Sequence, residues 1–205
     1  MTFHRHIAGR SVSLNCASDL QPQADAVLDA LEARADSGPT LADGTTVQFG
    51  WTRLTLRADD QALVVCEPNF DGDALKEERD SVDVSLRVLT EQVAVLRQVN
   101  APAYPIEFSD WVVVDGNSLS VARIYLQRKP PATASDSGWY IGAVENPYVA
   151  GDEAALGGAR VYQFHKLRPT VLSVLALPPE YMVVINGVQI EAIFDPGDVN
   201  RWRAS

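Results

Sequence analysis

Few side chains in this sequence have the types and spacing that chemistry needs. Histidine occurs three times, as His4, His6 and His165. His4 and His6 fall in a terminus expected to be mobile, and His165 stands alone at the start of a helical pattern. No histidine pair has the i, i+4 spacing beside a carboxylate that zinc enzymes use, and no cluster of Cys and His closes a tetrahedral site. Asp71-Gly72-Asp73 looks like a fragment of a calcium loop, but the glycine and the remaining oxygen donors miss that motif's spacing. Asp136-Ser137-Gly138 sets a hydroxyl beside a carboxylate without a Gly-x-Ser-x-Gly elbow. Ser135 and Asp136 are better explained as turn formers whose side chains bond nearby backbone. Gly151, Gly157 and Gly158 lack the Lys-Ser/Thr ending of a phosphate loop. Carboxylates are plentiful, yet none sits in an apolar setting that would push two pKa values apart. The expectation is no catalytic residue, no metal and no cofactor. An enzyme would need a pocket near His165, Asp136 or Glu145.

The elements that must position these residues follow from hydrophobic periodicity. Val12 and Leu14 alternate in a short first strand. Pro22 opens an amphipathic helix in which Ala26, Val27, Ala30 and Leu31 recur at helical spacing, stopped by Ser37-Gly38-Pro39. Val47, Phe49, Leu54, Leu56 and the run Ala62–Cys66 predict an antiparallel meander, with Trp51 in its core. Residues 67–83 hold seven acids against Lys76 and Arg79 and show no apolar period, which predicts an exposed acidic loop. Val84 to Val99 form the most hydrophobic helix, closed by Asn100, Pro102 and Pro105. Phe108–Asp115 and Leu119–Leu126 predict two paired antiparallel strands around Asp115-Gly116.

Arg128–Asp136 is rich in proline and small residues and is the one plausible boundary, giving an N-terminal region of residues 1–128 and a C-terminal domain of residues 133–205. The second part reads as a Gly138-Trp139 strand, a loop over residues 147–158, and a helix with Pro169 in its first turn. A hairpin about Asn186-Gly187 follows. The fold class expected is α+β, mainly antiparallel, with about three helices and a C-terminal β-hairpin.

The 205 residues are 46% hydrophobic and 21% charged, with a net charge of −10. That charge argues against nucleic-acid binding, because phosphates would be repelled, and favours either solubility or a basic protein partner. No run of about 18 apolar residues is present, so no membrane span is expected. The N-terminus lacks the apolar run of a signal peptide, and two lone cysteines suit free, buried thiols, so the chain reads as cytoplasmic.

Ser135-Asp136-Ser137-Gly138-Trp139-Tyr140-Ile141-Gly142 resembles the core motif of the immunity protein 33 domain family, with the likeness running from about Ala132 to Asp195. The resemblance implies a cytoplasmic antidote, associated with polymorphic-toxin and type VI secretion loci, that binds a cognate toxin and occludes its active site. The partner-binding residues expected are Asp71, Asp73, Glu77, Glu78 and Asp80 in the acidic segment, with Glu145, Tyr148, Asp152 and Glu153 in the later loop. An acidic inhibitor suits a basic nuclease, since opposite charge speeds encounter, but other toxin classes fit equally. Two further readings stay open, an adaptor or chaperone of a secreted effector and an enzyme.

Overall fold

In a computed structural model, residues 1–38, 40–60, 62–116, 118–145 and 156–203 are described. They form two compact units, Met1–Thr90 and Glu91–Ser205.

In the first unit, β1 (Thr2–Ile7) and β2 (Arg10–Asn15) make an antiparallel hairpin. Its turn residues Ala8 and Gly9 both have positive φ, as a tight two-residue hairpin turn requires. His4 and His6 are therefore strand residues, not a mobile terminus. Helix α1 (Gln21–Asp36) takes Pro22 in its first turn and buries Ala24, Val27, Leu28 and Leu31. A meander follows of β3 (Thr46–Phe49), β4 (Thr52–Asp59) and β5 (Ala62–Pro68). Strand order is β1-β2-β5-β4-β3, and the inward side chains Val12, Leu14, Leu54, Leu56, Leu63 and Val65 share one core with α1. Trp51 is in the core, stacked on Phe70 at 5.1 Å.

Helix α2 (Asp83–Val99) crosses the division between the units. Its C-terminal part belongs to the second, where Val95, Leu96 and Val99 are buried and Gln92 Nε2 donates to the Leu172 carbonyl at 3.0 Å.

A short strand β6 (Glu78–Arg79) pairs antiparallel with the end of β5 in the first sheet. The second unit then holds β7 (Trp111–Asp115), β8 (Arg123–Arg128), β9 (Asp136–Ala143), β10 (Leu156–Arg160), β11 (Met182–Asn186) and β12 (Gln189–Phe194). Their order is β10-β7-β9-β8-β11-β12. Helices α3 (Phe164–Leu167) and α4 (Pro169–Val174) break at Arg168, which is extended ahead of Pro169, so the single expected helix is two short ones. β11 and β12 form the expected hairpin, but its two-residue loop is Gly187-Val188, with Gly187 at φ +60°.

The fold is α+β, and both sheets are mixed. β2 runs parallel to β5 and β7 parallel to β9. β8 does not pair with β7; it lies between β9 and β11. Alternating apolar residues announce that strands exist, but the choice of neighbour depends on which edges remain open, and β9 takes the place beside β7. The Pro-rich stretch joins β8 to β9, adjacent strands of one sheet.

Candidate protein-binding face

The Asp136-Ser137-Gly138-Trp139 motif is a bend built into β9. Between the pairs Trp111↔Asp136 and Val113↔Tyr140 the register shifts, so β9 spends extra residues there. Asp136 holds the bend by accepting the backbone N–H of Ala132 at 2.9 Å and of Gly138 at 2.8 Å. Ser137 Oγ donates to the Trp111 carbonyl at 2.6 Å and accepts the Trp139 N–H at 3.1 Å. Gly138 has φ +75°, and a β-carbon there would lie 2.0 Å from the Lys129 carbonyl oxygen. Only glycine fits both demands. The hydroxyl and carboxylate singled out from the sequence are committed to backbone.

The bend turns Trp139 inward, where it is 1% exposed and its Nε1 donates to the Leu175 carbonyl at 2.9 Å. Beside it lies Arg128, also 1% exposed. Its guanidinium donates to the carbonyls of Ser137 at 3.0 Å, Leu175 at 3.0 Å, Leu177 at 2.5 Å and Pro105 at 2.9 Å. It also sits 4.6 Å from the Tyr104 ring centroid and 5.6 Å from that of Trp139. Burial pushes the Arg128 pKa down to about 10, opposed by Tyr104, Asp110 and Asp136. One arginine thus ties β8 to the bend, to the end of α4 and to the segment before β7.

The opposite face of this sheet carries aromatic and apolar side chains in the open. Val112 and Val114 of β7 are buried, while Trp111 is 42% and Val113 40% exposed. Val113 stands opposite Tyr140, and Tyr140 opposite Gln127. The Tyr125 and Tyr140 rings lie 5.7 Å apart over Gly142, where a β-carbon would sit 2.6 Å and 2.8 Å from their ring atoms. Val113, Tyr125, Tyr140, Lys129, Asp136 and Leu156 are among the residues that line a groove of about 460 Å³. Arg160 stacks over Trp111 at 4.0 Å. Tyr, Trp and Arg are the residue types that dominate protein–protein contacts.

The acidic segment of the first unit is more structured than a solvated loop. Glu67 is fully buried: Oε1 accepts Arg79 Nη2 at 2.6 Å and Nε at 2.8 Å, and Oε2 accepts the Ser85 N–H at 2.7 Å in the first turn of α2. Burial pushes its carboxyl up, against the hydrogen bonds from Ser85 and Arg79. Phe70 and Ala74 are buried too. A buried carboxylate needs such donors, and the segment folds back through β6 to supply them. Asp71 pairs with Arg79 at 2.8 Å, Asp73 with Lys76 at 3.2 Å, and Asp80 accepts Asn15 Nδ2 at 2.6 Å. Glu77 accepts Asn69 Nδ2 at 2.8 Å, and Glu78 is exposed on β6. Asp71, Asp73, Glu77, Glu78 and Asp80 thus do lie on one short segment. Glu145 is exposed beyond β9, and Tyr148, Asp152 and Glu153 fall outside the described residues.

Residues 91–196, just over half of the chain, match the Imm33-like domain. The chain belongs to the Imm33-like family. The match falls within the second unit, so in this Imm33-like chain the bend, Arg128 and the open face all lie inside the family segment. No curated protein and no solved structure matches the chain. Residues 1–90 carry fifteen acids against eight Lys and Arg, and residues 91–205 twelve against nine, so most of the negative charge lies ahead of the family segment. Among the described residues no group of three or more His, Cys, Asp and Glu side chains is placed to hold a metal ion, and no helix is long and apolar enough to cross a membrane. Trp111, Val113, Tyr125, Tyr140, Lys129 and Arg160 were not singled out from the sequence as binding residues. The available signal was the run Trp111-Val-Val-Val114, apolar at positions that alternate between both faces of a strand.

Proposed function

We propose that this Imm33-like chain is a cytoplasmic immunity protein. It binds a cognate secreted bacterial toxin of a polymorphic or type VI system and neutralises it by stoichiometric occlusion, transforming no substrate itself. The observation that carries the reading is the apolar face of the family unit, where Trp111 and Val113 are exposed and Tyr125 and Tyr140 stand half-buried at a groove. A surface of this kind suits a preformed protein contact, since large apolar side chains in the open are costly unless a partner covers them. The acidic segment has a separate role. Glu77, Glu78 and the neighbouring Asp71, Asp73 and Asp80 attract a basic toxin surface, nuclease or otherwise, and raise the rate of encounter.

The test is co-expression with the product of the neighbouring gene, taken as the candidate toxin. The unaltered chain restores growth and forms a one-to-one complex on size exclusion, and the Tyr140→Ala chain loses both while keeping its circular dichroism. Absence of rescue and of complex with the unaltered chain refutes the immunity reading. Rescue without a complex would instead favour a catalytic detoxification.

A further inference from the structure

We infer that the groove on the open face of the second sheet is read by a partner segment that carries an apolar side chain next to a carboxylate. This rests on the immunity reading and adds the chemistry of the contact. Val113, Leu156 and the tyrosine pair offer a hydrophobic floor, and Gly142 beneath the rings leaves no side chain to prop them up. A void of about 460 Å³ is large enough to receive side chains of a docked segment rather than only to meet a flat surface.

The local charge runs against the rest of the molecule. In a chain of net charge −10, the two cations at this site, Lys129 lining the groove and Arg160 over Trp111, have no carboxylate within salt-bridge distance among the described residues. Arg5, Arg79, Arg87, Arg123 and Arg201 are paired with acids, whereas Arg160, like Arg128 and Arg168, donates to backbone carbonyls. The acid that does line the groove, Asp136, directs one oxygen to Ala132 N–H and the other to Gly138 N–H. Asp136 keeps its charge but has both oxygens engaged, so Lys129 and Arg160, two cations against that one acid, are the charged groups left to meet a partner beside Trp111. An arginine already fixed by stacking on Trp111 and by donating to the Ser109 carbonyl loses little freedom on meeting a carboxylate. The complementary partner is an apolar residue flanked by Asp or Glu. The binding face thus has the opposite sign to the acidic surface that steers the encounter.

The experiment uses the full chain and an inactive variant of the neighbouring gene's product, the candidate toxin, with affinity and rates measured by surface plasmon resonance at two salt concentrations. Lys129→Glu and Arg160→Glu, each checked for unchanged thermal midpoint, are expected to weaken binding at least tenfold, mainly through faster dissociation. Lys129→Gln falls between them and the unaltered chain. Glu77→Gln with Glu78→Gln slows association and leaves dissociation unchanged. If Tyr125→Ala and Tyr140→Ala weaken binding but both charge reversals leave it within twofold, the groove takes an apolar group only, and the carboxylate inference is overturned while the immunity reading stands. If none of the four changes matters, the face itself is wrong. A concentration-dependent dimer of this chain abolished by Tyr140→Ala would make a second copy the occupant and overturn the proposal. If the unaltered chain neither binds the toxin nor restores growth, the immunity reading falls and this inference falls with it.

Discussion

Replacing Arg128 should produce an order of stabilities opposite to chemical similarity. Arg128→Met leaves the carbonyls of Ser137, Leu177 and Pro105 without their guanidinium donor, whereas Leu175 keeps the Trp139 indole. A buried carbonyl left unpaired costs about 1–3 kcal/mol, and Pro105 is near enough to solvent to recover a water, so the loss is about 2–6 kcal/mol. Against this, methionine carries no charge into the interior. Burial holds the Arg128 pKa down at about 10, which corresponds to about 3 kcal/mol against the charged form, and that penalty disappears. The net expectation for Arg128→Met lies between a gain of about 1 kcal/mol and a loss of about 3 kcal/mol. Arg128→Lys keeps the buried charge and replaces a planar fork that reaches four carbonyls with one ammonium that cannot span them. It also forfeits the stacking on Tyr104 and Trp139, so about 3–5 kcal/mol is lost. The assay is urea unfolding of the full chain by circular dichroism, with hydrogen exchange locating the weakened amides within residues 91–205. A lysine variant at least as stable as the methionine variant would refute the reasoning, because it would mean that the charge and not the fork is what the site uses.

Gly138→Ala should cost about 1–3 kcal/mol in the same unfolding assay from left-handed backbone alone, and more once the contact with the Lys129 carbonyl is counted. A loss below about 0.5 kcal/mol, the range of ordinary surface substitutions, would show that the bend relaxes. Glu67 gives a pH signature. Its carboxyl is raised in the folded chain, so it binds a proton more tightly folded than unfolded. Its contribution is full below the unfolded value of about 4.3 and is lost as pH rises through the raised folded value. Stability profiles from pH 4 upward should therefore lack that descending portion in Glu67→Gln, and parallel profiles for the two chains would count against a raised carboxyl.

Much of the architecture was legible from residue patterns. Pro22 and the alanine-rich repeat after it gave α1, the stripe from Val84 to Val99 gave α2, and Asn186-Gly187 marked the hairpin, although the loop proper lies one residue later. Trp51 was rightly assigned to the core because its neighbours alternate. Strand partners were less legible. Nothing in the sequence of β7 distinguishes an antiparallel β8 from a parallel β9, since both offer the same apolar alternation and the decision rests on long-range packing. Residues 67–83 misled for a different reason: composition counts charges and cannot see that Glu67 and Arg79 meet across β5 and β6 and bury Phe70 with them. Arg128 was equally hidden, because an arginine at the end of a strand beside prolines reads as solvent-exposed. The Asp136–Trp139 motif was recognised as a signature, but its physical task as a bend that aims Trp139 inward needed the backbone.

The two cysteines carry a practical consequence. Cys16 and Cys66 are both free and almost wholly enclosed, and burial raises both thiols, that of Cys66 to about 11. At pH 7 roughly one Cys66 in ten thousand would be thiolate, the form that attacks maleimides and oxidants. The native chain is therefore nearly silent to thiol reagents. A single cysteine placed at Val113 or Gln127 would be the sole reactive handle, and a photo-crosslinker attached there would map a captured toxin without any background to subtract.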